Sequence, residues 1–169
     1  GGALVGGVAA VYGPLLLKRR ERRHAEVDAK RQQTDDATAA LIEARAKTRL
    51  WLDYLVSTVA QAAAGAPVDR DAFTAKLERL GEDAVNSCYR LEFFKDIDGL
   101  TSYHLYYSVG QSMRASTFAI ETALASNAFA EGRVPNEVLD ALMTAEQTRT
   151  WFRLVSAQLA AMRRAQPQQ

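Results

Sequence analysis

The sequence predicts an all-α protein in which an N-terminal single transmembrane helix continues into a polar helical stalk and an antiparallel four-helix bundle. Three observations support this. The first seventeen residues carry no charge, later segments repeat apolar residues every three or four positions, and no alternating β-branched run or Asn-Gly turn indicates a strand. The predicted parts are the transmembrane helix at 1–17, the basic juxtamembrane stalk at 18–35, the bundle at 36–164 and a disordered tail at 165–169.

The apolar N-terminus runs directly into the cationic cluster Lys18-Arg19-Arg20-Glu21-Arg22-Arg23. Such a cluster orients a membrane helix, because Lys and Arg stay on the cytoplasmic side. We therefore expect the chain in the cell (inner) membrane, with its N-terminus outside and the bundle in the cytoplasm. Seventeen helical residues span about 25 Å, less than a hydrocarbon core of about 30 Å, so we expect the membrane segment to begin upstream of Gly1. The alternative is a helix buried in a globular domain.

Small residues recur with a spacing of four in this N-terminal segment. Such spacing places them on one helix face, where two backbones can approach closely. This predicts that the segment packs against a copy of itself or a partner. The alternative is that such pairs arise by chance in a chain rich in Gly and Ala. The predicted packing residues are Gly2, Gly6, Gly7 and Gly13.

The basic character of the chain is local. Residues 18–33 contain seven Lys or Arg and three Asp or Glu, whereas the whole chain has a net charge of only +1. Nucleic-acid binding needs a basic face spread along a docking element, but this cluster borders an apolar segment. We therefore expect anionic lipid headgroups, and no nucleic acid, as the partner. The predicted lipid contacts are Lys18, Arg19, Arg20, Arg22 and Arg23.

Four apolar stripes with helical spacing predict the bundle, and the first three end at Gly65-Ala66-Pro67, at residues 95–99 and at Gly132. Asp69 and Asn136 are the predicted N-caps of the second and fourth helices. The stripes are Leu41, Ala44, Thr48, Trp51, Leu55 and Val59; Phe73, Leu77, Leu80, Ala84, Cys88 and Leu91; Tyr103, Tyr106, Gly110, Met113, Thr117, Ile120 and Leu124; and Val138, Leu142, Ala145, Thr148, Phe152, Val155, Leu159 and Met162.

No motif predicts catalysis, metal binding or a cofactor. Glu21 and His24 have the spacing of a helical metal pair, but cationic neighbours surround them and a di-iron bundle needs a second copy. Asp96-x-Asp98-Gly99 lacks the glycine and glutamate that a calcium loop needs at its sixth and twelfth positions. Cys88, the single cysteine, lies on an apolar stripe. We therefore expect no enzymatic activity.

An aromatic cluster at the start of the third helix is the other candidate site, and it contains Tyr103, His104, Tyr106 and Tyr107. An imidazole among tyrosines can bind a ligand or form a pH-sensitive contact. The alternative is that these aromatic residues fill the end of the bundle or a subunit interface.

Two functional hypotheses follow. In the first, the membrane-anchored bundle self-assembles or docks as a subunit of a larger membrane complex, as a scaffold or, if copies close into a ring, a pore. In the second, the bundle is a membrane-tethered sensor that binds a ligand or partner near Tyr103–Tyr107.

Overall fold

The computed structural model describes residues 4–94, 102–129 and 132–165, and it describes side chains over 17–94, 107–129 and 132–165. These ranges are helical, apart from short connections, and contain no strand. The predicted all-α helical bundle is therefore confirmed. The helices are α1 (Leu4–Ala63), α2 (Arg70–Arg90), α3 (Ser102–Ala125) and α4 (Asn136–Ala165), and a short 3₁₀ turn (Leu91–Phe94) follows α2.

The chain divides into two units, Gly1–Asp36 and Ala37–Gln169. The first unit contains the N-terminal part of α1, in which every side chain from Leu17 to Gln32 is exposed. The second unit contains the rest of α1 together with α2, α3 and α4. Among the described side chains, the hydrophobic core lies in the second unit.

The transmembrane helix predicted at 1–17 is not supported. Among the described residues, no helix combines the length and the apolar character that crossing a bilayer requires. The physical reason lies in the composition of the described part of α1, where eighteen residues counted from Leu4 already include Lys18, Arg19, Arg20 and Glu21. A pore along such a span is likewise unsupported.

In the second unit, α1 and α2 pack antiparallel. Arg90, at the end of α2, donates to the carboxylate of Glu43 at 3.1 Å, and the ring of Phe73, near the start of α2, stacks on Tyr54 at 5.8 Å. The pairing therefore runs in opposite directions along the two helices. Between these ends, Lys47 lies 3.7 Å from Asp83.

Helices α3 and α4 complete an up-down-up-down arrangement. Thr74 of α2 donates to Glu121 near the end of α3 at 2.7 Å, and Ser116 of α3 donates to the backbone carbonyl of Ala141 near the start of α4 at 3.2 Å. Arg149 of α4 donates to Asp53 of α1 at 2.7 Å. Each helix of this unit thus packs between two antiparallel neighbours, as in a four-helix bundle.

The core is formed mainly by the predicted stripes. In α1, α2 and α4 most large members of each stripe are buried, while Leu80, Leu142 and Met162 are partly buried against the core. Helical periodicity is sufficient to find these positions because each helix turns one face inward. Buried core residues that the stripes omitted are Ala37, Leu52, Ala62, Val109, Ala123, Phe129 and Ala141.

Two helices end with a residue in the left-handed conformation. After α1, Gly65 has φ 75°, and Ala66 N–H donates to the Gln61 carbonyl at 3.1 Å. After α3, Asn127 has φ 53°, and Ala128 N–H donates to the Ala123 carbonyl at 2.9 Å. Both ends have the Schellman hydrogen-bond pattern. The third helix therefore ends before the predicted Gly132, because Asn tolerates positive φ.

The predicted N-cap is correct for α2, whereas the N-cap of α4 lies one residue before the predicted one. Asp69 caps α2, since its side chain accepts from the Ala72 N–H at 3.0 Å. At α4 the carbonyl of Pro135 accepts the first helical hydrogen bonds, from Val138 and Leu139. Asn136 is therefore the first helical residue rather than the cap.

Two leucines on opposite sides of α1, two residues apart in the sequence, provide a test of this core. We expect Leu52→Ala to lower the free energy of unfolding by roughly 2–5 kcal/mol, because Leu52 is fully buried and its truncation leaves a cavity. The matched control is Leu50→Ala, at a residue 56% exposed, which should change the free energy by no more than about 0.5 kcal/mol. Denaturant titration measures both. Equal effects of the two substitutions would contradict this helix orientation.

Candidate interaction surfaces

The sequence-predicted glycines lie at the start of α1. Gly6, Gly7 and Gly13 belong to the helix, while Gly2 lies outside the described residues. The structure describes no side chain around them, so their packing against another helix stays a prediction.

The predicted lipid-contact cluster is fully on the surface. Lys18, Arg19, Arg20, Arg22 and Arg23 are helical residues of α1, and each is exposed. With Glu21 as the one acidic residue among them, the segment presents a net charge of about +4 over less than two helical turns. Such a density of positive charge can contact an anionic surface.

The predicted aromatic site lies mostly outside the described side chains. Tyr103, His104 and Tyr106 belong to the first two turns of α3, but only Tyr107 has a described side chain, and that side chain is 54% exposed. Whether these four side chains lie together therefore falls outside the described residues. Their role as a ligand or partner contact stays a prediction.

A surface that sequence reasoning missed lies on α4. Its members share the side of the helix opposite the core, where Met143 is 69% and Leu154 is 59% exposed, and Asp140 is the one charged residue within this side. Helix α4 therefore has two apolar faces, one turned into the bundle and one turned to solvent. We call this second face the outer stripe; it consists of Leu139, Met143, Gln147, Thr150, Trp151 and Leu154.

A groove of about 300 Å³ between α1 and α4 is lined by four arginines over a floor of Thr48, Leu52 and Phe152. Two carboxylates offset part of this charge. Asp53 accepts from Arg149 at 2.7 Å and from Arg49 at 3.4 Å, and Glu146 lies 3.0 Å from Arg149 Nε. The arginines of the groove are Arg45, Arg49, Arg149 and Arg153.

A second groove, of about 530 Å³, lies between α2 and α3. Its rim is acidic, with Glu78, Glu82 and Glu121. Trp51 also lines it, and the indole Nε1–H of this fully buried residue has no hydrogen-bond partner within the described part of the chain.

Cys88 is the titratable group whose environment the fold changes most clearly. Burial raises the pKa of its thiol from 9.0 to about 11, and a contact with Thr48 Oγ1 at 3.8 Å lowers it slightly. A thiol held protonated in this way is a poor nucleophile. Cys88 therefore acts as a small core residue, as its apolar surroundings suggest.

The described residues form no candidate metal centre, and comparison with known proteins identifies no further functional site. Within the ranges that the structure describes, no group of three or more His, Cys, Asp or Glu side chains could hold a metal ion. Comparison of the chain with models of known families, with curated proteins and with solved structures finds no match. The functional proposal therefore depends on the surfaces described above.

The reactivity of Cys88 tests the environment of the thiol. Because its pKa is raised to about 11, the folded chain should react with iodoacetamide near pH 8 about a hundredfold more slowly than the chain unfolded in guanidinium chloride. Mass spectrometry of the alkylated chain measures the rate. The thiol also favours the folded state below pH 9, and this contribution is lost as the pH rises toward 11. Equal alkylation rates would contradict the buried position.

Proposed function

We propose that this chain is a self-assembling helical module whose copies associate through the outer stripe of α4. The observation that carries the proposal is the second apolar face of that helix. A solvent-facing helix side is normally charged or polar, whereas this one combines four large apolar residues with two uncharged polar ones and a single charge, Asp140. Contiguous exposed apolar surface of this kind is typical of protein–protein contacts.

The composition of the stripe also suits an interface. Met and Trp are enriched at the centres of protein–protein contacts, and charged residues are depleted there. Fully burying a side chain such as Met143 or Leu154 contributes roughly 1.5–3 kcal/mol. Because each copy contributes the same residues, a symmetric pair buries them twice.

Membrane contact is a separate part of the proposal. The exposed cluster from Lys18 to Arg23 supports binding to an anionic lipid surface, at about 1 kcal/mol for each basic residue near it. This contact needs no span. It would place an assembled bundle next to a membrane as a scaffold, and the predicted orientation across the inner membrane remains untested.

The alternative function, a sensor that binds a ligand or partner near Tyr103–Tyr107, stays a proposal as well. Its support is the sequence pattern of the cluster, of which Tyr107 is the member with a described side chain. The outer stripe of α4 is described along its whole length. Neither proposal assigns catalysis to the chain.

The mass of the particle in solution tests assembly. We expect the chain to sediment well above its monomer mass of 18.6 kDa. Met143→Lys combined with Leu154→Lys should return it to the monomer mass, because burying four ammonium groups at each contact, two from each copy, is strongly unfavourable. Sedimentation velocity over a range of concentrations measures the mass.

A matched control uses an apolar residue that is equally exposed but lies on another helix. Ile42, on α1, is 64% exposed, and Ile42→Lys should leave the assembled mass unchanged. A monomeric wild-type chain would rule out self-assembly. Loss of assembly in the control as well would mean that the outer stripe is not the contact.

Vesicle flotation tests the lipid contact. We expect the chain to bind phosphatidylserine-containing vesicles and to leave phosphatidylcholine vesicles largely unbound. Replacing Arg19, Arg20 and Arg22 with Glu should weaken binding to the anionic vesicles by at least about a hundredfold, because attraction is replaced by repulsion. Raised salt should weaken the wild-type interaction too.

The control for this measurement changes the same amount of charge elsewhere. Arg70, Lys76 and Arg79 are exposed basic residues of α2, and their replacement with Glu should weaken vesicle binding far less. Equal loss in the two triple variants would show that net charge, and not the cluster, determines binding.

A further inference from the structure

The charges of α4 are segregated along its length. All of its acidic residues precede all of its basic residues, so negative charge lies toward the start of the helix and positive charge toward its end. Two parallel copies would bring like charges together, whereas two antiparallel copies bring the acidic part of each opposite the basic part of the other. The acidic residues are Glu137, Asp140 and Glu146, and the basic ones are Arg149, Arg153, Arg163 and Arg164.

Two of these charges flank the outer stripe on the same side. Glu146 and Arg153 are seven residues apart, which is close to two helical turns, so they lie along one edge of the stripe. Both are exposed. Arg153 Nη2 donates to Thr150 Oγ1 at 3.3 Å, which holds the guanidinium beside the stripe.

When two helices pack antiparallel, each flank meets the same flank of the other helix. The edge that carries Glu146 and Arg153 therefore meets its own copy in reverse order. Glu146 then lies opposite the partner's Arg153, and Arg153 lies opposite the partner's Glu146. One contact thus forms two equivalent ion pairs.

The same register aligns the apolar residues. In an antiparallel pair, a step forward along one helix corresponds to a step backward along the other, so one opposing pair of residues fixes all the others. When Glu146 lies opposite the partner's Arg153, Met143 lies within two residues of the position opposite the partner's Leu154. Gln147 likewise lies within two residues of the position opposite the partner's Trp151. The apolar contacts and the ion pairs therefore require one and the same arrangement.

We infer that the partner of the outer stripe is a second copy of this chain, docked antiparallel along α4 about a two-fold axis. This inference rests on the proposed self-assembly and specifies its geometry. A contact of this kind is isologous, because both copies use the same surface. It closes at two copies, so larger assemblies need another surface.

Charge reversal in the full chain tests this arrangement. Glu146→Arg and Arg153→Glu, each alone, turn both ion pairs into like-charged pairs and should weaken dimer formation by about tenfold at low salt. An equimolar mixture of the two variants should recover the wild-type affinity, because every contact between them is again oppositely charged. The double variant Glu146→Arg with Arg153→Glu should recover it too. Sedimentation equilibrium measures each affinity.

A reversal away from the stripe serves as the control. Glu78→Arg, at an exposed position of α2, should leave the affinity unchanged, and circular dichroism verifies that every variant is folded. If the wild-type chain is monomeric, both the proposed function and this inference are wrong. If it assembles but the single reversals have no effect, or the mixture and the double variant fail to recover affinity, the antiparallel geometry alone is wrong.

Discussion

Burial of one face of α1 is the constraint on which the bundle depends. From Ala37 to Ala62 this helix supplies the side chains that both α2 and α4 cover, among them Trp51, Leu52 and Leu55, all fully buried. Polar contacts at its edges then fix direction: Glu43 meets the end of α2, and Asp53 meets the middle of α4. Exposed ion pairs of this type add little stability, so they set alignment while the apolar face supplies most of the stabilisation.

The periodicity of the sequence predicted this part of the structure well, since a helix that faces a core on one side repeats its apolar residues every three or four positions. Leu52 was omitted because a stripe drawn through Thr48, Trp51 and Leu55 is narrower than the face that two neighbouring helices cover. The membrane span is unsupported for a different reason: within the described residues the apolar run passes directly into the charges that begin at Lys18. Local residue chemistry cannot show how much of an apolar run belongs to a membrane.

The outer stripe was missed because α4 has apolar residues on both sides. A search for one stripe finds Val138, Phe152 and Leu159, and the remaining apolar residues then look like scattered surface positions. Only the orientation of the helix in the bundle shows that Met143 and Leu154 share a solvent-facing side on which Asp140 is the single charge. The position of Glu146 and Arg153 along one edge of the outer stripe can be recognised only from this orientation, because it depends on which side of the helix faces solvent.

The positions of the two tryptophans have a spectroscopic consequence. Trp51 is fully buried inside the bundle, whereas Trp151 is 37% exposed in the outer stripe. Their intrinsic fluorescence consequently arises from two distinct environments, one dry and one in contact with water. Unfolding changes the emission of both tryptophans, whereas association through α4 removes only Trp151 from contact with water. The emission spectrum of the unlabelled chain can therefore separate the two processes.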